Sequence, residues 1–291
     1  MEHNYALITP SYRGDLERCR MLCETVDRFM SGLSTHYILV EGRDVAMFKV
    51  LEGPRRIIVD ERDILPRWLV NIPDPTNWGE RRLWISPFTL PLRGWHVQQL
   101  RRIAIARHVP EETLVYCDSD VAFVRPFDCS TFHHDGAIRL FHRPMSERKL
   151  SGDHPVWSVN AAKVLGITPP HVSARDYIAT LIAWDRRTVL DMCAQIETVQ
   201  GSHWVAAIGK KRKFSECMIY GRYVDDSLGG EGHFLDTNDF CKVYWNGPKL
   251  DEHDLRDFVG DLKEHQVAVG LQSFIGLDIG MVRKIIFDFA T

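Results

Sequence analysis

Two apolar runs in the middle of the chain, residues 114–117 and 121–124, enclose the aspartates Asp118 and Asp120. Continuous apolar runs of this length indicate strands that are buried on both faces. In open α/β sheets, ligands bind beyond the carboxyl ends of such strands. Two acids at that point can hold a divalent cation, because Mg²⁺ commonly takes one or two carboxylates together with the phosphates of a substrate. The pattern therefore predicts an α/β protein with a cation site at this strand end.

The acid pair alone is a weak signal. Asp accounts for 24 of the 291 residues, so chance produces about two D-x-D triplets in such a chain. The alternative interpretation is a polar turn after a core strand, in which Asp118 caps the turn through its own backbone. The context favours a metal or phosphate site, because the two acids interrupt an apolar segment instead of a solvated one.

The composition limits the class of protein. Hydrophobic residues make up 45% and charged residues 26% of the chain, which is ordinary for a soluble globular protein. The net charge is 36 − 39 = −3, so no basic excess indicates a nucleic-acid partner. We expect no transmembrane segment and no signal peptide, because no apolar run is long enough for either.

The seven cysteines are an odd number and contain no C-x-x-C pair. This pattern argues against zinc and thioredoxin-type chemistry. Reduced thiols in a cytoplasmic protein are the simplest account.

The first sixty residues predict the start of a Rossmann-like sheet. A strand at 5–8 is followed by a helix with a 3.6-residue apolar period, which Asp15 is expected to cap, and then by strands at 36–40 and 56–60. This β-loop-α-β order indicates a sheet flanked by helices. The glycine fingerprint G-x-G-x-x-G is absent, so a standard dinucleotide site is not expected.

The rest of the chain is predicted more loosely. Residues 66–94, which are rich in Trp, Pro and Arg, are interpreted as a loop with short helical pieces. Further elements are predicted as helices at 95–108, 176–196, 214–223 and 251–264, strands at 137–141 and 266–271, and a last helix from about Gly280. The sequence has no internal repeat and no linker, so one domain is expected over residues 1–291.

Four motifs stand out along the chain. They are Thr9-Pro10-Ser11-Tyr12 after the first strand, Gly94-Trp95-x-x-Gln98-Gln99-Leu100, Asp118-Ser119-Asp120 followed by Arg125-Pro126-Phe127, and Phe214-Ser215-Glu216-x-x-x-Tyr220-Gly221. In this order and spacing they resemble the motifs of the GT-A glycosyltransferases, which use nucleotide-sugar donors. The chain is most similar to an uncharacterised bacterial glycosyltransferase-like family (DUF6492-like), over residues 4–275.

The resemblance implies a GT-A fold, which is a Rossmann-like mixed sheet flanked by helices. It implies a nucleotide-sugar-binding half at 1–128, an acceptor-binding half at 129–250 and a helix-strand-helix tail at 251–291. Asp118 and Asp120 would hold Mn²⁺ or Mg²⁺ against a UDP- or GDP-sugar. The other residues expected to border the donor are Thr9, Pro10, Ser11, Tyr12, Glu41, Gln98 and Ser119. The third metal ligand is left open between His233, His265 and Gln272.

Sugar transfer to a saccharide or another hydroxyl acceptor would suit synthesis of a bacterial surface polysaccharide. An inverting enzyme needs a base for the acceptor proton, and Glu216 is the candidate. The alternative is that Glu216 only caps or pairs at a helix start. Arg101 and Arg102 could add positive charge at the pyrophosphate, but a solvated helix face is the favoured interpretation for both.

Two other functions remain open. A phosphatase of the haloacid-dehalogenase type would use Asp118 as nucleophile and Asp225-Asp226 as late metal acids, although a solvated turn is favoured for that second pair. A non-catalytic nucleotide-sugar-binding protein on the same scaffold is the other. Four tryptophans are candidates for lining a sugar pocket, although most tryptophans are partly buried core residues. They are Trp157, Trp184, Trp204 and Trp245.

Overall fold

The computed structural model describes residues 3–77, 81–147 and 152–289. Its strands are β1 (Tyr5–Pro10), β2 (Met30–Ser31), β3 (Leu33–Val40), β4 (Arg56–Asp60), β5 (Val70–Pro73), β6 (Arg82–Ile85), β7 (Leu92–Arg93), β8 (Thr113–Tyr116), β9 (Val121–Phe123), β10 (Phe127–Asp128), β11 (His133–His134), β12 (Ala137–Phe141), β13 (Arg143–Pro144), β14 (Arg175–Asp176), β15 (Ile182–Asp185), β16 (His233–Asp236), β17 (Cys241–Tyr244) and β18 (Ala268–Leu271). Its helices are α1 (Leu16–Phe29), α2 (Val45–Phe48), α3 (Glu61–Ile64), α4 (Gly94–Ala104), α5 (His154–Leu165), α6 (Arg186–Gln200), α7 (Trp204–Gly209), α8 (Glu216–Arg222), α9 (Glu252–Gly260) and α10 (Ile279–Phe289).

β1 lies in the middle of a five-stranded sheet with the order β15-β8-β1-β3-β4. It pairs in parallel with β3 on one side and with β8 on the other, and β4 continues the parallel set beyond β3. β15 forms the opposite edge, antiparallel to β8. Every residue of β1 and β8 is buried, as expected for parallel strands that are covered on both faces. The predicted α/β class and the predicted strand before the acid pair are confirmed.

The second apolar run belongs to another sheet. β9 pairs antiparallel with β18, and β18 pairs in parallel with β17. Behind this small sheet, α9 and α10 contribute the buried residues Leu255, Ile285 and Ile286 to a core cluster that also contains Val269 of β18. The two aspartates therefore connect the central sheet to a sheet that the C-terminal segment completes.

The segment 66–94 contains a small antiparallel sheet of β5, β6 and β7, which the prediction of a loop missed. A short helical piece is also present, a 3₁₀ turn at Pro75–Asn77. Trp84 of β6 is only 2% exposed, so the strand is fixed by burial of a large side chain. Residues 78–80 of this segment lie outside the described residues.

The helix predicted at 176–196 is wrong over its first ten residues. These form β14, an irregular segment and β15, and α6 begins only at Arg186. Leu181 has φ of 60°, a left-handed conformation through which a right-handed helix cannot pass. Asp185 then caps α6 by accepting a hydrogen bond from the Thr188 amide at 2.6 Å.

Among the described residues, no helix combines the length and the apolar character that a membrane span requires.

Candidate functional site at the paired aspartates

The candidate site lies where the chain changes direction across the central sheet. After β1 the chain passes through α1 to β3 and β4 on one side, and it later returns to the other side of β1 as β8. The Cys117 amide donates to the Ile8 carbonyl at 3.1 Å, so the segments that leave β1 and β8 start side by side. Open α/β sheets bind ligands in the crevice that such a reversal creates. Tyr12 and the two aspartates thus reach the same edge of the sheet.

Asp118 lies at the base of this crevice, with 22% of its side chain exposed. Its Oδ1 accepts hydrogen bonds from the guanidinium of Arg102 and, at 3.3 Å, from Gln98 Nε2. Its Oδ2 accepts a hydrogen bond from Thr180 Oγ1 at 3.4 Å. Gln98, which is predicted to border the donor, therefore contacts the acid pair, and Asp118 already has a cationic neighbour.

Asp120 is more deeply buried and lacks such a neighbour. Its Oδ2 accepts a hydrogen bond from the Ser273 amide at 3.1 Å, and its carbonyl accepts one from the Leu271 amide at 3.0 Å. Its Oδ1 is buried and has no hydrogen-bond partner among the described residues. Burial, together with the charges of Asp118 and Asp15, raises the pKa of Asp120 to about 8. Oδ1 is therefore a buried carboxyl oxygen without a hydrogen-bond partner among the described residues.

Asp15 is the third carboxyl group of the site. The sequence predicts it as a helix cap, but its side chain makes no capping hydrogen bond in the structure. Its Oδ2 instead accepts a hydrogen bond from Ser119 Oγ at 3.3 Å. Burial raises the pKa of Asp15, and Arg18 offsets this in part at 3.6 Å. No sequence signal indicates this role, because the contact joins residues 104 positions apart.

The carboxylates fit a cation site only in part. Among the described residues, no three His, Cys, Asp or Glu side chains converge closely enough to surround a metal ion. Asp118 and Asp120 supply the oxygen ligands that Mg²⁺ and Mn²⁺ prefer, and Asp120 Oδ1 has no other partner. Mg²⁺ usually keeps several waters and takes substrate phosphates as further ligands. The site therefore suits a cation that arrives with a diphosphate.

Arg101 and Arg102 are buried, so the prediction that both lie on a solvated helix face is wrong. Arg101 is ion-paired with Glu61, and each of these side chains is about 5% exposed. Arg102 donates through Nη2 to Asp118 and through Nη1 to Glu216 Oε1, the latter at 2.8 Å. Burial alone would lower the pKa of Arg102, but Asp118 and Glu216 raise it above its ordinary range. The guanidinium therefore connects the acid pair to the candidate base.

Glu216 is the first residue of α8, after the N-cap Ser215. Its side chain is 7% exposed, and its amide donates to Gln99 Oε1 at 3.0 Å. α4 thus holds Glu216 through Gln99 and Arg102, and it holds Asp118 through Gln98 and Arg102. The structure brings the predicted base and the predicted metal ligand to one helix.

The residues after β1 divide into two groups. Thr9 and Ser11 are buried, and their side chains face other elements: Thr9 Oγ1 hydrogen-bonds His36 Nε2 at 2.9 Å, and Ser11 lies beside the Cys19 thiol. Tyr12 is 47% exposed. Partial burial and the charge of Asp15 raise the pKa of Tyr12. Of these three residues, only Tyr12 therefore has its side chain beside the carboxyl groups of Asp15 and Asp120.

Glu41, at the end of β3, accepts a hydrogen bond from Arg43 Nε at 2.7 Å. It lines a cavity of about 660 Å³ that also includes Arg82 and Trp84 in its wall. The cavity lies at the carboxyl ends of β3 and β4, on the same edge of the sheet as the acid pair. It has room for a flat ring system beside charged groups.

Of the three candidates for a late metal ligand, Gln272 is the one whose immediate chain neighbour contacts the acid pair. It directly precedes Ser273, whose amide bonds Asp120. His233 uses both ring nitrogens elsewhere, on Tyr220 Oη and the Glu231 carbonyl, each at 2.8 Å. The third ligand stays a prediction, and this geometry favours Gln272.

The second acid pair, which the sequence predicts as a solvated turn, is partly solvated and lies in a helical turn. Asp225 and Asp226 lie in a π-helical turn, Tyr223–Ser227. Asp225 accepts hydrogen bonds from Arg175 at 2.6 Å, and Asp226 accepts one from the buried Arg222 at 2.7 Å. Both carboxylates are therefore engaged by arginines.

The four candidate tryptophans separate by burial. Trp184 and Trp204 are core residues at 3% and 2% exposure, whereas Trp245 is 41% exposed and Trp157 is half-buried.

The sequence model of a family described as a family of unknown function (DUF6492) matches residues 6–268. The predicted likeness to this family is confirmed, whereas its glycosyltransferase character stays a prediction. A comparison with curated proteins finds no match to the chain.

Proposed function

We propose that this chain, which belongs to DUF6492, a family of unknown function, is a metal-dependent glycosyltransferase. In this proposal it moves a sugar from a UDP- or GDP-sugar to an acceptor hydroxyl. The single observation that carries the proposal is the buried Oδ1 of Asp120, which has no partner among the described residues and belongs to a carboxyl group whose pKa is raised to about 8. A divalent cation would satisfy this oxygen and relieve the repulsion from Asp118 and Asp15.

The fold supports a nucleotide donor. The parallel strands run in the order β8-β1-β3-β4 with the reversal between β1 and β8, which is the arrangement that places nucleotides at strand carboxyl ends. We assign the nucleoside to the cavity beside Glu41. A sheet of this order, closed by antiparallel β15, is also what a GT-A domain would need.

Transfer separates a nucleoside diphosphate from a sugar whose anomeric carbon becomes cation-like. A bound cation would neutralise the charge that develops on the departing diphosphate. In this scheme Asp118 and Asp120 hold the cation, and Ser273 fixes Asp120 through its amide. Arg102 orients Asp118 and Glu216 relative to each other.

We assign the acceptor proton to Glu216. Its Oε1 is engaged by Arg102, so the proton would go to Oε2. Glu216 is therefore either the base or the residue that orients the acceptor hydroxyl. Replacing Glu216 by glutamine distinguishes these two roles. Glu216→Gln should lower transfer by about 10²–10⁴-fold if Glu216 is the base, with donor binding retained.

A melting screen with a panel of UDP- and GDP-sugars, with and without Mn²⁺, tests the proposal. A ligand that binds only the folded protein raises its melting temperature, so we expect one donor to do so and Mn²⁺ to increase the effect. Asp120→Asn should remove the metal-dependent part, whereas Asp191→Asn, at an exposed ion pair on α6, should not. If no nucleotide sugar shifts the melting temperature with or without Mn²⁺, the proposal fails.

The phosphatase alternative is less well supported, because its late metal acids Asp225 and Asp226 are each engaged by an arginine. Hydrolysis of a simple phosphate ester that is lost in Asp118→Asn would favour it. Donor binding with neither transfer nor donor hydrolysis would indicate a non-catalytic nucleotide-sugar-binding protein.

A further inference from the structure

One face of α4 connects the acid pair to an exposed tryptophan. Gln98 and Arg102 both donate to Asp118, and Trp95 lies three residues before Gln98 on the same helix. Residues three and four positions apart share a face of an α-helix, so Trp95, Gln98 and Arg102 form one row. Because the helix rises 1.5 Å per residue, Trp95 lies only about 4.5 Å along the axis from Gln98.

Trp95 meets Trp157 of α5 at the outer end of this row. The two ring centroids are 5.7 Å apart, with 37° between the planes. Trp95 is 49% exposed and Trp157 is half-buried and packs against the main core cluster, so the pair presents part of its ring surface to solvent. His154 packs edge-on against Trp157 with a centroid distance of 4.7 Å. We call Trp95 and Trp157 the tryptophan pair.

The rim of the tryptophan pair is polar. Trp157 Nε1 is buried and has no hydrogen-bond partner among the described residues, although a buried indole N–H usually has one. Lys213 Nζ donates to Asp153 Oδ1 at 2.6 Å, and Asp153 lies one turn before Trp157, whose amide donates to its carbonyl at 2.8 Å. The pair therefore combines apolar ring faces with a charged edge, the Lys213–Asp153 ion pair.

A saccharide has the same two kinds of surface. One side of a hexose ring presents C–H groups that suit the negative face of an aromatic ring, and its edge carries hydroxyls that both donate and accept hydrogen bonds. A simple apolar alcohol would gain nothing from the Lys213–Asp153 ion pair. From this match we propose that the tryptophan pair is the acceptor subsite and that the acceptor is a saccharide. The inference rests on the proposed function, since it takes Asp118 and Asp120 as the place of transfer.

The test is a titration of the full-length protein with methyl hexosides and hexose disaccharides, without donor or metal. Tryptophan fluorescence and saturation-transfer NMR would report binding. We expect saturable binding with the strongest transfer to the C–H groups of one ring face. Trp95→Ala should weaken binding at least tenfold, and Trp95→Phe should retain most of it, because phenylalanine still offers a ring face.

Trp245→Ala is the matched control, because Trp245 is also an exposed tryptophan, at 41%, and follows β17 instead of facing α4. It should leave saccharide binding unchanged. The melting shift by nucleotide sugar and Mn²⁺ should be the same in Trp95→Ala as in the natural protein, because Trp95 is assigned only to the acceptor.

The outcomes separate this inference from the proposed function. Equal saccharide affinity in Trp95→Ala and Trp245→Ala, or no saccharide binding by the natural protein while a donor still binds, overturns the acceptor subsite and leaves the proposed function standing. Trp95-dependent saccharide binding in a protein that binds no nucleotide sugar supports the saccharide site and overturns the transferase.

Discussion

The environment of Asp120 determines how its affinity for a cation should depend on pH. Its pKa of about 8 lies above the ordinary value for Asp, so the carboxyl group carries a proton in the folded protein below that pH. A cation must displace this proton. We expect Mn²⁺ affinity to rise about tenfold per pH unit between pH 6 and 7, because one proton is released, and to level off above pH 8. Calorimetry across pH 6–9 measures this dependence.

The same shift has a consequence for the metal-free protein. A carboxyl group with a raised folded pKa stabilises the folded state below its unfolded pKa, and this contribution is lost as the pH rises through about 8. Mn²⁺ should therefore stabilise the protein more at pH 8 than at pH 6. Asp120→Asn should weaken the pH dependence of the Mn²⁺ affinity and also that of the stability of the metal-free protein. A Mn²⁺ affinity that is constant from pH 6 to 9 would contradict this environment for Asp120.

His36 predicts a second pH effect, at the acid side. Burial, followed by the charge of Arg56, lowers the pKa of His36 to about 3, and the neutral ring bonds Thr9 Oγ1 and Arg56 Nε at 2.9 and 3.2 Å. The unfolded chain takes up this proton near pH 6.5. Stability should therefore be lost progressively as the pH falls from about 6.5 towards 3.

Denaturant unfolding at pH 7 and pH 5 measures this loss. His36→Gln should be less stable at pH 7, because it replaces a well-packed ring, but should lose less on going to pH 5. His134→Gln, at a side chain that is 74% exposed, is the control and should behave like the natural protein. An unchanged difference between the two pH values in His36→Gln would contradict the prediction.

α4 holds the site together through Arg102, and this gives a stability prediction. Arg102→Met leaves Asp118 and Glu216 without their shared cation, at side-chain exposures of 22% and 7%. Removing one partner of a buried ion pair typically costs about 3–5 kcal/mol, and the partial exposure of Asp118 places our expectation at the lower end. Denaturant unfolding at pH 7 measures the change.

Arg187→Met is the matched control for that measurement. Arg187 pairs with Asp191 at 3.0 Å, but its side chain is 82% exposed, so its loss should cost less than about 1 kcal/mol. Adding Glu216→Gln to Arg102→Met should recover part of the lost stability, because one uncompensated charge disappears. An equal loss of unfolding free energy in Arg102→Met and Arg187→Met would show that the ion pairs of Arg102 with Asp118 and Glu216 do not stabilise the fold.

The same helix shows what the sequence could and could not predict. Its apolar period predicts a helix at 95–108, close to the observed α4, because periodicity depends only on local spacing. The burial of Arg101 and Arg102 was not predictable in this way. Their partners Glu61 and Glu216 lie 40 and 114 residues away, so only tertiary structure brings them together. Charged residues are seldom buried without such partners.

The missed strands have a related cause. Residues 182–185 were predicted as part of a helix, since a short apolar run carries no clear period. What decides their structure is pairing of β15 with β8, along Ile182↔Tyr116. β6 likewise depends on β5 and β7, and on the burial of Trp84. The local sequence pattern therefore predicted the parallel strands of the central sheet and the helices better than it predicted the antiparallel strands β5, β6, β7 and β15.

Over the full chain, the order of predicted elements indicated a parallel sheet. It did not indicate that β18 and Ser273, near the end of the chain, lie beside β9 and Asp120. Asp118 and Asp120 were found from context, whereas the contact of Asp120 with Ser273 spans 153 residues. It depends on β18 lying beside β9, and β18 in turn shares a core cluster with α10. The C-terminal segment from β18 to α10 therefore supports the candidate site directly, through the contact of Ser273 with Asp120.

This coupling predicts a selective effect of Ile286→Ala in α10. Ile286 is fully buried in the cluster that contains Val269 of β18, and removing such a side chain typically costs about 2–5 kcal/mol. Because the central sheet packs in other clusters, the variant should open the C-terminal unit first. Hydrogen exchange should accelerate at the Leu271 and Ser273 amides, which bond Asp120.

The central strands provide the internal reference for that experiment. The amides of β1 and β8 should keep their protection in Ile286→Ala, and Mn²⁺ affinity should fall, since Asp120 loses the amide that orients it. Ile196→Ala is the control, because Ile196 is equally buried but belongs to the main cluster. It should destabilise the protein without a selective change at Leu271 and Ser273. If hydrogen exchange accelerates equally in β1, β8 and β18 of Ile286→Ala, the chain opens as one unit. The C-terminal segment would then support the site only through the global stability of the protein.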